Sequence, residues 1–354
     1  MRIQYCLSVL VALFLGLASC KSSKNGSEGD ESQAQNISIS YLNAAQAAVA
    51  ITKDDEDGFF DKITIADMSI QMKQSEMPNR GGQSKMMYQE MLKSEMLNWS
   101  DADKDFMNEV FAQAKQVLDN INPNLYPDGI QLVKTKTNHY GPDVYYTRER
   151  AIIIPDNIFE EKSVDATLPI MLHEIFHILS RYEDDFRDEI YALIGFKTFD
   201  KSLVLPKRIQ DRLLTNPDGA RRDYAIYLEN ENGEVQPALP LIMSTKDRYQ
   251  NEMPTFFSYL NFDLYPLIAI SKDQVTLGLN SQGESALSME HNSDFFRKIK
   301  DNTQYIIHPD EIMADNFMMA VLAYRDDTFE GFSPEGTTLL KQVLKVLKTY
   351  QSNE

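Results

Sequence analysis

Cysteine is nearly absent: the 354-residue chain has two, Cys6 and Cys20. Everything after Lys21 therefore lacks a thiol for a disulfide or a cysteine metal site. Stability must come from the apolar core, and the chain is long enough to build one. Any metal falls to His, Asp or Glu. Long apolar runs are missing too, apart from Leu7 to Leu17, which is too short to span a bilayer. Positive charge is scarce, with 35 Lys and Arg against 53 Asp and Glu and a net charge of -18. That balance excludes nucleic acid and a polybasic membrane footprint as natural partners. It names no substrate, since acidity in an exported protein mainly keeps it soluble. No internal repeat is visible.

Arg2, the apolar run and the ending Leu17-Ala18-Ser19-Cys20 have the layout of a removable export signal over residues 1–19. The ending resembles the lipobox of bacterial lipoproteins. That resemblance implies a lipid on Cys20 and a place in the bacterial cell envelope, at the outer membrane or cell surface. Residues 20–40 then form a tether. Lys21 to Gln35 is polar and without period, so it cannot bury enough surface to order itself, and it reaches roughly 20 Å as a coil. Its acidic cluster Glu28, Asp30 and Glu31 resembles the export tags of surface lipoproteins.

The body is expected to run from 41 to 354. Its first part, 41–120, reads as mainly helical: Ser100 with Asp103 caps a run of Phe106, Val110, Phe111, Ala114, Val117 and Leu118 at helical spacing. Asp55-Glu56-Asp57-Gly58 hints at a calcium loop. The loop pattern would put Lys53 at its first ligand and Thr64 at its twelfth, so a solvated turn is expected instead. The methionines from Met68 to Met107 read as core filler. Ile130–Thr135 and Val144–Ile154 read as strands, the second broken by a turn at Arg148-Glu149-Arg150. An apolar helix should begin near Leu168, with Thr167 as cap and Pro169 in the first turn. Residues 196–302 are mixed, with turn signals at Asn216-Pro217-Asp218-Gly219 and Asn230-Glu231-Asn232-Gly233. A last helix should start at Ser333-Pro334 and run through Leu347.

The chemistry lies in His173, Glu174 and His177. Two histidines four apart on a helix leave the same face one turn apart, which suits two nitrogen ligands of one tetrahedral Zn2+. Glu174, beside the first of them, can reach a water that zinc makes acidic near neutral pH, and act as general base. Leu168, Ile170, Met171, Leu172, Ile175, Phe176, Ile178 and Leu179 make the helix apolar almost all round, so it is buried. Two histidines and a glutamate there need partners.

A catalytic zinc needs a third protein ligand and an open position. The metzincin pattern places a histidine six residues after the second one, following a helix-breaking glycine. Those positions hold Glu183 and Ser180 here. On a continuing helix Glu183 would point away from the metal face, and Glu189 belongs to a solvated charged turn. The sequence resembles the gluzincins instead. Their distant glutamate followed four residues later by an aspartate is matched by Glu311-Ile312-Met313-Ala314-Asp315, opened by Pro309. The stretches 145–155, 173–196, 215–218 and 305–317 are similar to a group of bacterial gluzincin-like proteins.

The resemblance implies Glu311 as third ligand and Asp315 as the residue that orients a ligating histidine. It also implies an α+β, zincin-like fold, with a small, mostly antiparallel sheet packed on the active-site helix and with additional helices. Residues 196–302 would be an insertion between the metal helices. In such folds the strand ending at Ile154 would add a peptide substrate to the sheet. The activity implied is a membrane-anchored zinc metallopeptidase acting on peptides or proteins. Tyr182, Tyr224, Tyr227, His139, His291 and His308 are candidates for the oxyanion donor, and His308 could equally cap the Glu311 helix. The rival is a non-catalytic or substrate-binding lipoprotein with a structural or vestigial zinc helix. Glu174 separates the two, because a structural zinc needs no base beside its ligands.

Overall fold

The computed structural model describes residues 38–78, 82–136, 138–229, 233–287 and 292–352. The expected signal peptide, Cys20, most of the tether and His291 lie outside the described residues. The first strand, β1 (Ile39–Tyr41), begins inside the stretch expected as tether. After it come helices α1 (Ala44–Ala50), α2 (Phe59–Lys62), α3 (Ile65–Gln71) and α4 (Gln83–Ser94), strand β2 (Met96–Leu97) and helix α5 (Asp101–Asp119). Ser100 caps α5 by accepting from the Asp103 amide, and the apolar stripe expected on that helix is buried.

Strands β3 (Ile130–Thr135), β4 (Tyr146–Arg148) and β5 (Ala151–Pro155) complete a five-stranded sheet in the order β1-β3-β5-β4, with β2 pairing β3. The sheet is mixed rather than mostly antiparallel: β1/β3 and β3/β5 are parallel, β2/β3 and β4/β5 antiparallel. The reason lies in the connections. The chain from β1 returns to β3 through five helices, a crossover that sets the strands parallel, whereas β4 and β5 are joined by a tight turn at Glu149 (φ 52°). Every residue of β5 is buried because both faces of the sheet are covered. Ile152 and Ile154 meet α5 and the helix that follows, while Ala151 and Ile153 meet Phe59, Met68, Tyr88 and Leu92 of α2–α4.

Helix α6 (Val164–Tyr182) carries both histidines. It starts a turn earlier than expected: Ser163, not Thr167, accepts from the Ala166 amide, and Pro169 sits inside the helix. The N–H that Pro169 lacks would have met the carbonyl of exposed Asp165, near the solvent-facing start, where the loss is tolerable. The helix does not continue through Glu183, which forms the break before α7 (Asp184–Ala192).

The stretch expected as an insertion holds β6 (Phe196–Thr198), β7 (Ser202–Val204), α8 (Lys207–Gln210), β8 (Tyr224–Glu229), β9 (Val235–Ser244), β10 (Leu260–Ala269), β11 (Gln274–Leu277) and α9 (Ser293–Ile299). Its strands form a second sheet in the order β6-β8-β9-β10-β11-β7, with its own core around Leu239, Leu241 and Leu267. Helix α10 (Pro309–Arg325) then packs along α6, and α11 (Pro334–Thr349), capped by Ser333, packs on α10. The architecture is α+β. No helix among the described residues is long and apolar enough to cross a membrane.

Candidate metal centre

Two helices build the site. On α6 the spacing of four puts both imidazoles on the face turned to α10, their ring centroids 4.6 Å apart. On α10 His308 is the N-cap, its Nδ1 accepting from the Asp310 amide at 3.1 Å, and Pro309 opens the helix. Asp310 and Glu311 follow at once, buried to 2% and 1% exposure, so the first turn of α10 directs two carboxylates at α6.

The bonds are specific. The Nδ1 of His173 faces Asp315 Oδ1 at 2.9 Å, and the Nδ1 of His177 faces Asp310 Oδ2 at 2.6 Å. With each Nδ1–H donated to a carboxylate, each Nε2 is turned inward. Both meet one atom, Glu311 Oε2, at 3.2 Å from His173 and 3.6 Å from His177. The other Glu311 oxygen, Oε1, accepts from Asn216 Nδ2 at 2.6 Å. Tyr191 donates to Asp310 and Thr303 to Asp315, so the orienting acids are themselves held.

These residues fit a zinc ion on three counts. Ligand atoms about 2 Å from a tetrahedral zinc stand about 3.3 Å from one another, close to the two separations found here. His177 Nε2 is fully buried and has no hydrogen-bond partner, as is Oε2 of Glu174. Finally, Glu174, Asp218, Asp310, Glu311 and Asp315 surround two histidines, an excess of negative charge that a divalent cation offsets.

The titration of the metal-free chain reflects that excess. Burial alone would lower the pKa of His177, but Asp218, Glu311 and Asp310 outweigh it and raise it to about 9. His173 is raised in the same way, against burial, by Asp315 and Glu311. Burial, with Asp218 adding to it, pushes Glu174 up to about 8. Against burial, His177 holds Asp310 and Glu311 below the ordinary carboxylate range.

His173, Glu174, His177, Glu311 and Asp315 thus come together. The alternatives do not join them. Glu183 accepts from Ser352 and Glu189 is exposed on α7. The expected oxyanion donors among the described residues are engaged elsewhere. Tyr182 donates to Glu149, Tyr224 to Asp188, and Tyr227 packs by the core of the second sheet. His139 sits between Glu95 and Tyr146, and His308 spans the α10 cap and the Arg221 carbonyl. The strand ending at Ile154 is also no substrate edge: β5 lies between β3 and β4. The outer strand is β4, and its Thr147 amide already donates to Asp218.

Four site residues were not singled out from the sequence. Asp310 precedes Glu311 directly, and on a helix opened by Pro309 both can face α6, a signal that was legible. Asn216 and Asp218 sit in the Asn-Pro-Asp-Gly turn, whose composition explains itself as turn chemistry and hides any second role. Asp218 lies with Glu174 and His177 in one cluster of potential ligand atoms, none more than 4.8 Å from another. Tyr305 stacks on His173, ring centroids 6.4 Å apart at 19°. Burial and then Glu311, Asp218, Asp315 and Glu174 raise its hydroxyl well above the usual range, so it stays a donor at the site. Asp57, expected in a solvated turn, is buried and pairs with Arg181 of α6 at 2.6 Å. Comparison with protein-family models, curated proteins and solved structures returns no match for this chain.

Proposed function

We propose that the chain is a zinc-dependent hydrolase of peptide or related amide bonds, held at a bacterial membrane by a lipid on Cys20. The observation that carries this reading is the convergence of both imidazole Nε2 atoms on Glu311 Oε2, with the unpartnered Glu174 carboxylate beside them. His173, His177 and Glu311 would hold the ion, and zinc bound there supplies a Lewis acid that polarises water and a substrate carbonyl. Glu174 Oε2, buried and without a donor, accepts a proton from the attacking water and returns it to the leaving amine. Asp310 and Asp315 keep the imidazoles in the tautomer whose Nε2 faces inward. Tyr305 donates a hydrogen bond from its hydroxyl to the oxygen on which negative charge develops.

A non-catalytic binding protein leaves Glu174 unexplained, since a buried carboxylate oxygen with no partner is costly without a chemical role. The reading is tested by incubating the zinc-loaded soluble body with a random peptide library. Cleavage that a chelator abolishes and zinc restores is the expected result. A zinc-loaded protein that cleaves no peptide and no cell-wall amide contradicts it.

Two smaller predictions follow from the same geometry. Tyr305→Phe should retain zinc and lower kcat by roughly 10²-fold or more with little change in KM. An unchanged kcat in steady-state assays removes Tyr305 from the reaction. Cys20→Ser should move the protein from the membrane pellet to the soluble fraction, or block its processing. Unchanged detergent-phase partitioning of that variant rules out the anchor.

A further inference from the structure

The turn 215–218 touches the metal centre on one side and the N-terminal helices on the other. Asn216, 5% exposed, donates from Nδ2 to Glu311 Oε1 at 2.6 Å. One residue earlier, the Thr215 amide donates at 2.9 Å to Oδ2 of Asp67 on α3, which is wholly buried. The second Asp67 oxygen accepts from Gln71 Nε2 at 2.6 Å, and Gln71 in turn accepts from the Tyr88 hydroxyl at 2.5 Å. Thr64, the cap of α3, donates to the Leu213 carbonyl at 2.8 Å. At the far end of the turn, Arg181 donates to the Asp218 carbonyl at 3.0 Å while its Nε is fixed by Asp57. Residues from the N-terminal helical part therefore hold one end of the turn directly and the other through Arg181 of α6.

Glu311 has two oxygens and several torsions, and only one oxygen can face the imidazoles. Asn216 decides which, because Oε1 is buried and needs a donor. The position of Asn216 depends in turn on the backbone at Thr215. We infer that Asp67 is a positioning residue for Glu311, acting through Thr215 and Asn216, and that the helices before Glu95 form part of the metal centre's framework and are no detachable pro-segment. The effect on metal affinity rests on the proposed role of Glu311 as ligand. The coupling from Asp67 to Glu311 does not.

Zinc affinity of the soluble body, measured by chelator competition, tests the inference through a double-mutant cycle. Asn216→Ala and Asp67→Ala should each weaken zinc binding by roughly 10–100-fold, the range for residues that orient ligands. In the Asn216→Ala background, Asp67→Ala should add little, because its route to the site is already cut. Asp67→Asn keeps one acceptor for the Thr215 amide but sets its amide nitrogen against the Gln71 donor, so it should weaken binding by a smaller, still measurable factor. It also serves if the alanine variant does not fold. Asp61→Ala, at an exposed position beside Lys85, is the control and should change nothing. Wild-type affinity in both single variants, or full additivity in the double one, overturns the inference.

If the wild-type protein binds no zinc, the metal reading falls and hydrogen exchange in the metal-free protein decides the coupling. Either Asp67→Ala or, if that variant does not fold, Asp67→Asn should speed exchange across 216–220 and in the first turn of α10. Unchanged exchange in both segments overturns it.

Discussion

Glu174→Gln is expected to leave zinc bound and to slow peptide hydrolysis by at least roughly a hundredfold. The substitution preserves volume and touches no ligand atom, so the metal should remain. It removes the one group at the site that can accept a proton and has no other bond to make. The Glu174 side chain is 3% exposed, its Oε2 has no donor, and burial raises its pKa to about 8 in the metal-free chain. Zinc bound beside it would oppose that rise, because a nearby cation favours the carboxylate form in which Glu174 can act as base. Metal content and single-turnover rates on the same preparation give the comparison. Full activity in a zinc-loaded Glu174→Gln protein defeats the mechanism.

The second large effect is expected for Glu311→Ala. Losing a ligand should weaken zinc by more than the 10–100-fold expected when an orienting residue is changed, so Asp310→Asn and Asp315→Asn should form a milder pair beside it. The stability of the metal-free protein should fall as well. Without zinc, removing Glu311 relieves repulsion with Glu174 and Asp218. It also loses the attraction of His177 and His173 that, against burial, holds Glu311 below the ordinary carboxylate range, and it leaves Asn216 Nδ2 without its acceptor. Thermal unfolding should therefore show a lower midpoint for metal-free Glu311→Ala near neutral pH. The rise in midpoint on adding zinc, which depends on ligand concentration over Kd, should be largely lost. A zinc-induced rise equal to that of the wild type means that Glu311 is not a ligand.

How much was legible in the sequence follows the range of the interactions concerned. The α5 cap at Ser100, the strands on either side of Glu149 and the helix opened by Pro309 are local, set by capping and turn chemistry within a few residues. The proposed ligand set was legible because spacing on one helix brings His173 and His177 together, and because Glu311 and Asp315 resemble the gluzincin pattern.

What escaped was long-range or ambiguous. The parallel pairing of β1 with β3 joins residues about ninety apart, and no local pattern announces it. Pro169 suggested a helix start, yet Ser163 provides a better cap and the proline is tolerated inside. From local sequence Asp57 reads as part of a solvated turn, because its partner, Arg181, lies 124 residues away. The peptide-binding role expected of the strand ending at Ile154 failed for the same reason, since only the tertiary order shows that β4 lies outside β5.

The central claim is that one zinc ion sits between His173, His177 and Glu311. Anomalous diffraction from zinc-soaked crystals of the soluble body, collected above and below the zinc edge, tests it most directly. The expected result is a single strong peak about 2 Å from both Nε2 atoms and from a Glu311 oxygen, with no protein atom in its fourth position. A crystal with no peak at that point, or with zinc held only by other residues, contradicts the account.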